Sequence, residues 1–147
     1  MPRPVTPQIA ADVLIRLDDQ PDKLVLIERR HPPYGLAIPG GFVDVGERIE
    51  VAARREAKEE TSLDVELECL LGLYSDPARD PRGHTVTAVY VARASGSPEA
   101  ADDAKAVVLA DPADTSLNMV FDHRLVLDDY LRWRESGKLT PLRFGDR

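Results

Sequence analysis

Glu56, Glu59 and Glu60 stand three and four residues apart in a segment, Ile49 to Thr61, that contains no glycine or proline and is rich in Glu, Ala, Lys and Arg. Such a segment reads as helix, and these spacings put all three carboxylates on one surface of it. Like charges so placed cost about 0.2–0.5 kcal/mol per pair, and acids in a last helical turn oppose the helix dipole. A cation is therefore expected among them. Clustered oxygen donors with no His or Cys suit a hard dication, Mg²⁺ with Mn²⁺ as a substitute, which takes one or two carboxylates, several waters and substrate phosphates. The competing reading is a solvated helix whose glutamates are balanced by Arg54, Arg55 and Lys58. Just upstream, Gly40-Gly41 after Pro39 lets the backbone turn tightly and approach a ligand with no Cβ in the way, which favours a site.

The flanking elements must hold that helix in place. Gln8 to Leu17 is a strand-like run, Asp18-Asp19-Gln20-Pro21-Asp22 a polar turn, and Lys23 to Arg29 a second strand, so the pair predicts a hairpin. Arg29 and Arg30 close it ahead of HPPYG, either as an ordinary charged strand end or as ligands for phosphate. Beyond the helix, Val65 to Tyr74 and Thr85 to Ala94 predict strands separated by the rigid, charged loop SDPARDPRGH. The acidic connection SGSPEAADDA leads to a short strand, Lys105 to Leu109, which Asp111-Pro112 ends. In the last segment, Asp122 to Ser136, Leu127 and Leu131 lie four apart with Val126, Tyr130 and Trp133 on an adjoining line, which predicts an amphipathic helix packed on the sheet. Asp122 is read as its N-cap, and His123 as a structural hydrogen-bonding residue.

At 147 residues and 43% hydrophobic side chains, the chain fits a single domain, 1–147, with a real core. A formal charge of −7 disfavours loose binding to nucleic acid or to an anionic membrane. An anionic substrate would therefore need metal ions and a few local arginines. Cys69, the only cysteine, sits among leucines and reads as a buried thiol, which excludes an internal disulfide and favours a reducing compartment. MPRPVTPQIAADV lacks a long apolar run, and no segment approaches the roughly 20 apolar residues of a membrane span. A cytoplasmic location is the expectation.

Read in order, the chain runs Gly41, five residues, Glu47, seven residues, Arg55-Glu56, two residues, Glu59-Glu60, one residue, Ser62, Leu63. This resembles the Nudix box. The family pattern has Gly where this chain has Ser62 and usually a larger aliphatic residue where it has Ala57, while every charged position matches. Ser62 falls just past the helix end, where Gly most easily turns left-handed. Arg48 stands where Ser or Thr often caps the helix, so a stabiliser of about 1 kcal/mol is missing.

Spanning roughly Lys23 to Glu135, the resemblance implies an α+β fold, an α/β/α sandwich with a mixed central sheet. It implies metal-assisted attack of water on a nucleoside diphosphate linked to a second moiety, with Gly40 (through its carbonyl), Glu56, Glu59 and Glu60 holding the metal. Arg55, reaching Glu47, would keep the cluster in shape. DPARDPRGH, SPEAADDA and the Phe121-Asp122-His123 helix start resemble the branch that hydrolyses ADP-ribose to AMP and ribose 5-phosphate. In that setting Arg79 or Arg82 would bind phosphate or ribose hydroxyls. Asp102 or Asp103 would accept the proton of the attacking water once their loop closes, with Glu59 or Glu99 next in line. A nucleoside triphosphate or another nucleotide sugar is the alternative substrate. From a different class, some Nudix-like domains are ligand sensors joined to a DNA-binding domain; the sequence ends about ten residues after its last predicted helix, so the expectation is that none is present. The resemblance also implies a homodimer.

Overall fold

The computed structural model describes residues 2–101 and 104–145, and its central element is β1 (Gln8–Leu17). The run from Ala10 to Ile15 is buried throughout, as a strand covered on both faces requires. β2 (Gln20–Arg29) returns antiparallel to it, with Leu17 opposite Gln20 and Ile15 opposite Val25. The connecting turn is thus only Asp18-Asp19, shorter than the five polar residues suggest. Continued pairing draws Gln20, Pro21 and Asp22 into the strand, where a proline near the first position is tolerated.

Next come β3 (Leu36–Ala37), β4 (Gly40–Phe42), α1 (Ile49–Thr61), β5 (Glu66–Tyr74), β6 (Thr85–Ala94), β7 (Ala104–Ala110) and α2 (His123–Ser136). The sheet runs β3-β2-β1-β6-β5, with β4 pairing β1 and β7 pairing β2. β1 and β6 are parallel over their whole length, from Gln8 opposite Thr85 to Leu17 opposite Ala94. The other pairings are antiparallel, so the sheet is mixed.

Period-two alternation sorts the core into two layers. Val13, Ile15 and Leu17 of β1 and Ala88, Tyr90 and Ala92 of β6 pack with Ala52, Ala53 and Ala57 of α1. Leu14 of β1 and Val89 and Val91 of β6 pack instead with Val126, Leu127 and Tyr130 of α2. The two helices therefore cover opposite faces, and the fold is an α/β/α sandwich of the α+β class. Each fully buried Val or Leu contributes roughly 1.5–3 kcal/mol. The three alanines let α1 lie close to the sheet, where all three are completely buried.

Both helices end in left-handed residues. Ser62, with φ 64° and ψ 11°, closes α1 by donating its N–H to the Lys58 carbonyl, and Gly137, with φ 75°, closes α2. At the other end of α1, Arg48 makes no side-chain cap. Asp122 does not cap α2 either, contrary to the sequence reading, because its carboxylate is taken by Arg79. Cys69 is only half-buried, because β5 is an edge strand with a register shift between Leu67 and Cys69. Burial still pushes its thiol pKa up, which does not make a nucleophile. Among the described residues no helix is long and apolar enough to cross a membrane.

Candidate active site

The register of β4 on β1 creates the site. Ala10 lies opposite Phe42, Ala11 opposite Gly41 and Asp12 opposite Gly40. The glycine pair is needed for closeness rather than for a turn, a correction to the sequence reading. A Cβ on Gly40 would lie 2.3 Å from the Ala11 carbonyl oxygen, and one on Gly41 would lie 2.4 Å from the Glu56 carboxyl carbon. Gly40 also donates its N–H to Glu60 Oε1 at 2.7 Å, so α1 and β4 meet through a carboxylate.

Arg55 organises the acids. Its Nε and Nη2 donate to the two oxygens of Glu47 at 2.8 and 2.9 Å, Nη2 also to the Phe42 carbonyl at 3.0 Å, and Nη1 to Glu56 at 2.8 Å and to Glu59 at 3.3 Å. The sequence-stated pairing with Glu47 is present, and this fork holds the Glu47 pKa down to about 2. Burial acts the other way on the acids deeper in the site: it raises the Glu56 pKa and pushes that of Glu60 up to about 8.

These groups line a cleft of about 370 Å³, a volume suited to a small ligand. Glu56, Glu59, Glu60, Gly40, Arg29, Arg79 and Arg82 all border it, whereas Arg30 and Glu99 do not. Arg30 reaches the Ala104 carbonyl at 3.5 Å. Arg29 donates Nε to the Pro33 carbonyl at 2.9 Å and lies over the Phe121 ring at 5.2 Å. Arg79 has a side chain only 4% exposed and is engaged by Asp122. Arg82 pairs with Asp80, Nη2 to Oδ2 at 2.9 Å, and lies 5.7 Å from the Phe42 ring centre and 5.2 Å from that of Phe121. Asp102 and Asp103 lie outside the described residues. The chain just before them is tied to the end of α1: Glu99 donates its N–H to the Thr61 carbonyl at 2.9 Å, and Ala101 to the Glu60 carbonyl at 3.3 Å.

Among the cleft residues not singled out as site residues from the sequence, Asp12, His123 and Phe121 do most to shape the cleft. Asp12 is buried beside Gly40, accepts a hydrogen bond from Thr87 Oγ1 at 2.6 Å, and is pushed by burial up to about pH 6. A lone acid in the apolar run AADVLI was its signal, since a buried charge needs a reason. His123, read correctly as structural, accepts the Ile38 N–H at Nδ1 at 3.0 Å, which leaves the proton on Nε2, 3.8 Å from Asp12 Oδ2. Burial pushes its pKa down to about 3. Phe121 borders the cleft with φ 55°, a backbone that costs a bulky residue on the order of 1–3 kcal/mol; its only mark in the sequence is its place in the Phe121-Asp122-His123 helix start.

A hard dication fits this donor set. Glu56, Glu59 and Glu60 offer only carboxylate oxygens, and the missing Cβ of Gly41 makes the room that Glu56 occupies. Among the described residues no three acidic, His or Cys side chains yet converge as a metal cage, and the cation bridging Glu56 and Glu59 is the Arg55 guanidinium. Mg²⁺ does not need such a cage, because one or two carboxylates with waters and substrate phosphates suffice.

Comparison with known proteins agrees with the geometry. A model of the NUDIX domain matches residues 6–130. The chain is 41% identical over 131 residues to an ADP-ribose pyrophosphatase of Methanocaldococcus jannaschii, covering 87% of this chain and 75% of that one. A bifunctional NMN adenylyltransferase/ADP ribose pyrophosphatase from Francisella tularensis, solved with AMP and a Mn ion, superposes with a TM-score of 0.70 at 25% identity, over 88% of this chain and 42% of that one. The NUDIX domain of Shewanella oneidensis NrtR, solved with ADP ribose, shares the fold with a TM-score of 0.76 at 24% identity, over 90% of each chain.

Proposed function

The chain belongs to the Nudix family, and from that premise we propose that this Nudix hydrolase cleaves ADP-ribose to AMP and ribose 5-phosphate. The observation that carries the reading is its likeness to an ADP-ribose pyrophosphatase over most of both chains. The cleft supports it, since acids suited to a dication and arginines suited to a diphosphate border the same space.

In this reading Glu56, Glu59, Glu60 and the Gly40 carbonyl hold the dication, Mg²⁺ with Mn²⁺ able to replace it. A dication bound there neutralises diphosphate charge and acidifies the water that attacks phosphorus. The rest falls to the chain itself. Arg55 fixes Glu47, Glu56 and Glu59 relative to one another, and the Gly40 N–H fixes Glu60. Burial pushes the Glu60 pKa up to about 8, and a dication held there would favour its carboxylate form.

Arg29, Arg79 and Arg82 meet the ligand at the cleft they border, Arg79 held in place by Asp122, and Arg30 adds positive charge at the strand end. Of the three clustered glutamates Glu59 is the most open to an attacking water, its side chain 43% exposed against 16% for Glu56, with Glu60 buried. Asp102 and Asp103 are assigned the same task on the sequence alone.

The test is a panel of nucleotide sugars, dinucleotides and nucleoside triphosphates with Mg²⁺, with products resolved by chromatography. ADP-ribose is expected to give the highest kcat/KM, with AMP and ribose 5-phosphate as products. A nucleoside triphosphate used with a much higher kcat/KM would overturn the substrate assignment.

A further inference from the structure

Asp12 is the one acid in the buried run from Ala10 to Ile15, and it stands opposite Gly40 in the register of β1 with β4. Its Oδ1 lies over that glycine: a Cβ on Gly40 would come within 2.0 Å of it. Two acids of α1 press on the same dipeptide. Glu60 Oε1 accepts the Gly40 N–H at 2.7 Å, and a Cβ on Gly41 would meet the Glu56 carboxylate oxygens at 2.5 and 2.6 Å. Three carboxylates, one from β1 and two from α1, therefore crowd the Gly40-Gly41 backbone, and all of them border the cleft.

Among the described residues Asp12 has no cation of its own. Its Oδ2 accepts the Thr87 hydroxyl at 2.6 Å and lies 3.8 Å from Nε2 of the neutral His123. Arg79 is taken by Asp122, Arg82 by Asp80, and Arg55 by the glutamates. A buried carboxylate without a cationic partner, beside two groups of its own charge, costs the fold stability. Asparagine would accept the same hydrogen bond from Thr87 with no charge to bury, so hydrogen bonding alone does not account for an acid here.

We propose that Asp12 is a positioning residue of the dication site, its charge held over Gly40 so that it adds to those of Glu56 and Glu60 and draws the cation to the glycine side of the cleft. This rests on the reading of the α1 glutamates as dication ligands, to which it adds a residue from outside their helix. Because no three acidic side chains among the described residues converge as a cage, Asp12 acts through its field at Gly40 and Glu60 and not as a further ligand.

The experiment compares wild type with Asp12→Asn and Asp12→Ser. Mn²⁺ binding is read from the electron paramagnetic resonance of the free ion, and thermal melts are taken in excess chelator. Asp12→Asn keeps the shape and the acceptor for Thr87 and loses only the charge. It is expected to weaken Mn²⁺ binding roughly 10- to 100-fold, the usual loss for a group just behind the ligands, while its metal-free Tm equals or exceeds that of wild type. Asp12→Ser should weaken Mn²⁺ binding to a similar degree, and in both variants the loss of turnover should shrink as Mg²⁺ is raised.

A residue needed only to stitch β1 to β6 and α2 would behave in the opposite way. Unchanged Mn²⁺ binding in Asp12→Asn, or a metal-free Tm well below wild type, overturns the inference. So does a loss of turnover that no concentration of Mg²⁺ reduces, which would put Asp12 in the chemistry itself. Failure of both variants to fold overturns it too, because the carboxylate would then belong to what holds the sheet together. If wild type binds no Mn²⁺, the dication reading fails and the inference falls with it. If wild type binds Mn²⁺ more tightly than Asp12→Asn yet leaves ADP-ribose intact, the substrate reading fails and the role of Asp12 stands.

Discussion

Arg79 grips Asp122 by two hydrogen bonds, Nε to Oδ2 at 3.0 Å and Nη2 to Oδ1 at 2.8 Å, and so pins the loop between β5 and β6 to the residue just ahead of α2. The side chains are 4% and 17% exposed, so removing either partner strands a charge away from water. Arg79→Met and Asp122→Asn are each expected to lower the unfolding free energy by about 3 kcal/mol. In urea titrations the double variant should lose much less than the sum of the two. Strictly additive losses would mean that the ion pair does not couple the two segments.

Turnover is expected to vanish in excess chelator and to return with Mg²⁺ or Mn²⁺. Glu56→Gln and Glu60→Gln should each lower kcat by orders of magnitude and raise the Mg²⁺ concentration needed for thermal stabilisation, while leaving the metal-free fold intact by circular dichroism. Near-normal rates in both variants would remove these glutamates from the metal site.

His123 gives stability a defined pH dependence. Its pKa falls from an ordinary 6.5 to about 3 in the folded protein, so between those values the unfolded chain binds more protons. The contribution is complete above about pH 6.5 and is lost as pH falls toward 3, with a slope of at most about 1.4 kcal/mol per pH unit. His123→Asn offers Oδ1 to the Ile38 N–H but has nothing to titrate. Urea titrations at pH 7, 5.5 and 4 should therefore show wild type losing stability faster than the variant as pH falls. Parallel losses would contradict a neutral, buried His123.

Ser62 occupies the left-handed position that closes α1. Ser62→Gly should stabilise the protein by roughly 0.5–1 kcal/mol, less whatever the exposed hydrogen bond from Ser62 Oγ to the Glu99 carbonyl contributes. A lowered Tm would show that this bond outweighs the backbone strain.

What the sequence reveals here depends on how far apart the partners lie along the chain. Glu56, Glu59, Glu60 and Arg55 share one helix, so helical geometry alone joins them, and Glu47 lies in the turn just ahead of it, eight residues from Arg55; the left-handed Ser62 follows from the helix end. The five longer strands and both helices were legible to within a few residues because period two and period 3.6 are local signals, whereas β3 and β4, two and three residues long, are too short to show a period. The turn at Asp18-Asp19 was misjudged because pairing with β1, not local polarity, decided where β2 begins. Asp122 was read as a helix cap and not as the partner of Arg79. Forty-three residues separate them, and no local pattern announces their meeting. Asp12 and Phe121 reach the cleft only through the register of β1 with β4 and the packing of α2, which the order of residues does not state.

The tether between α1 and the chain before Asp102 is made by main-chain groups at residues 99 and 101, whose N–H groups meet the carbonyls of Thr61 and Glu60. Such bonds do not depend on which side chain is attached. Proline alone, having no N–H to give, is barred from those two places. Over descent, the stretch is thus free to change its side chains without losing its mooring to the helix that carries Glu60.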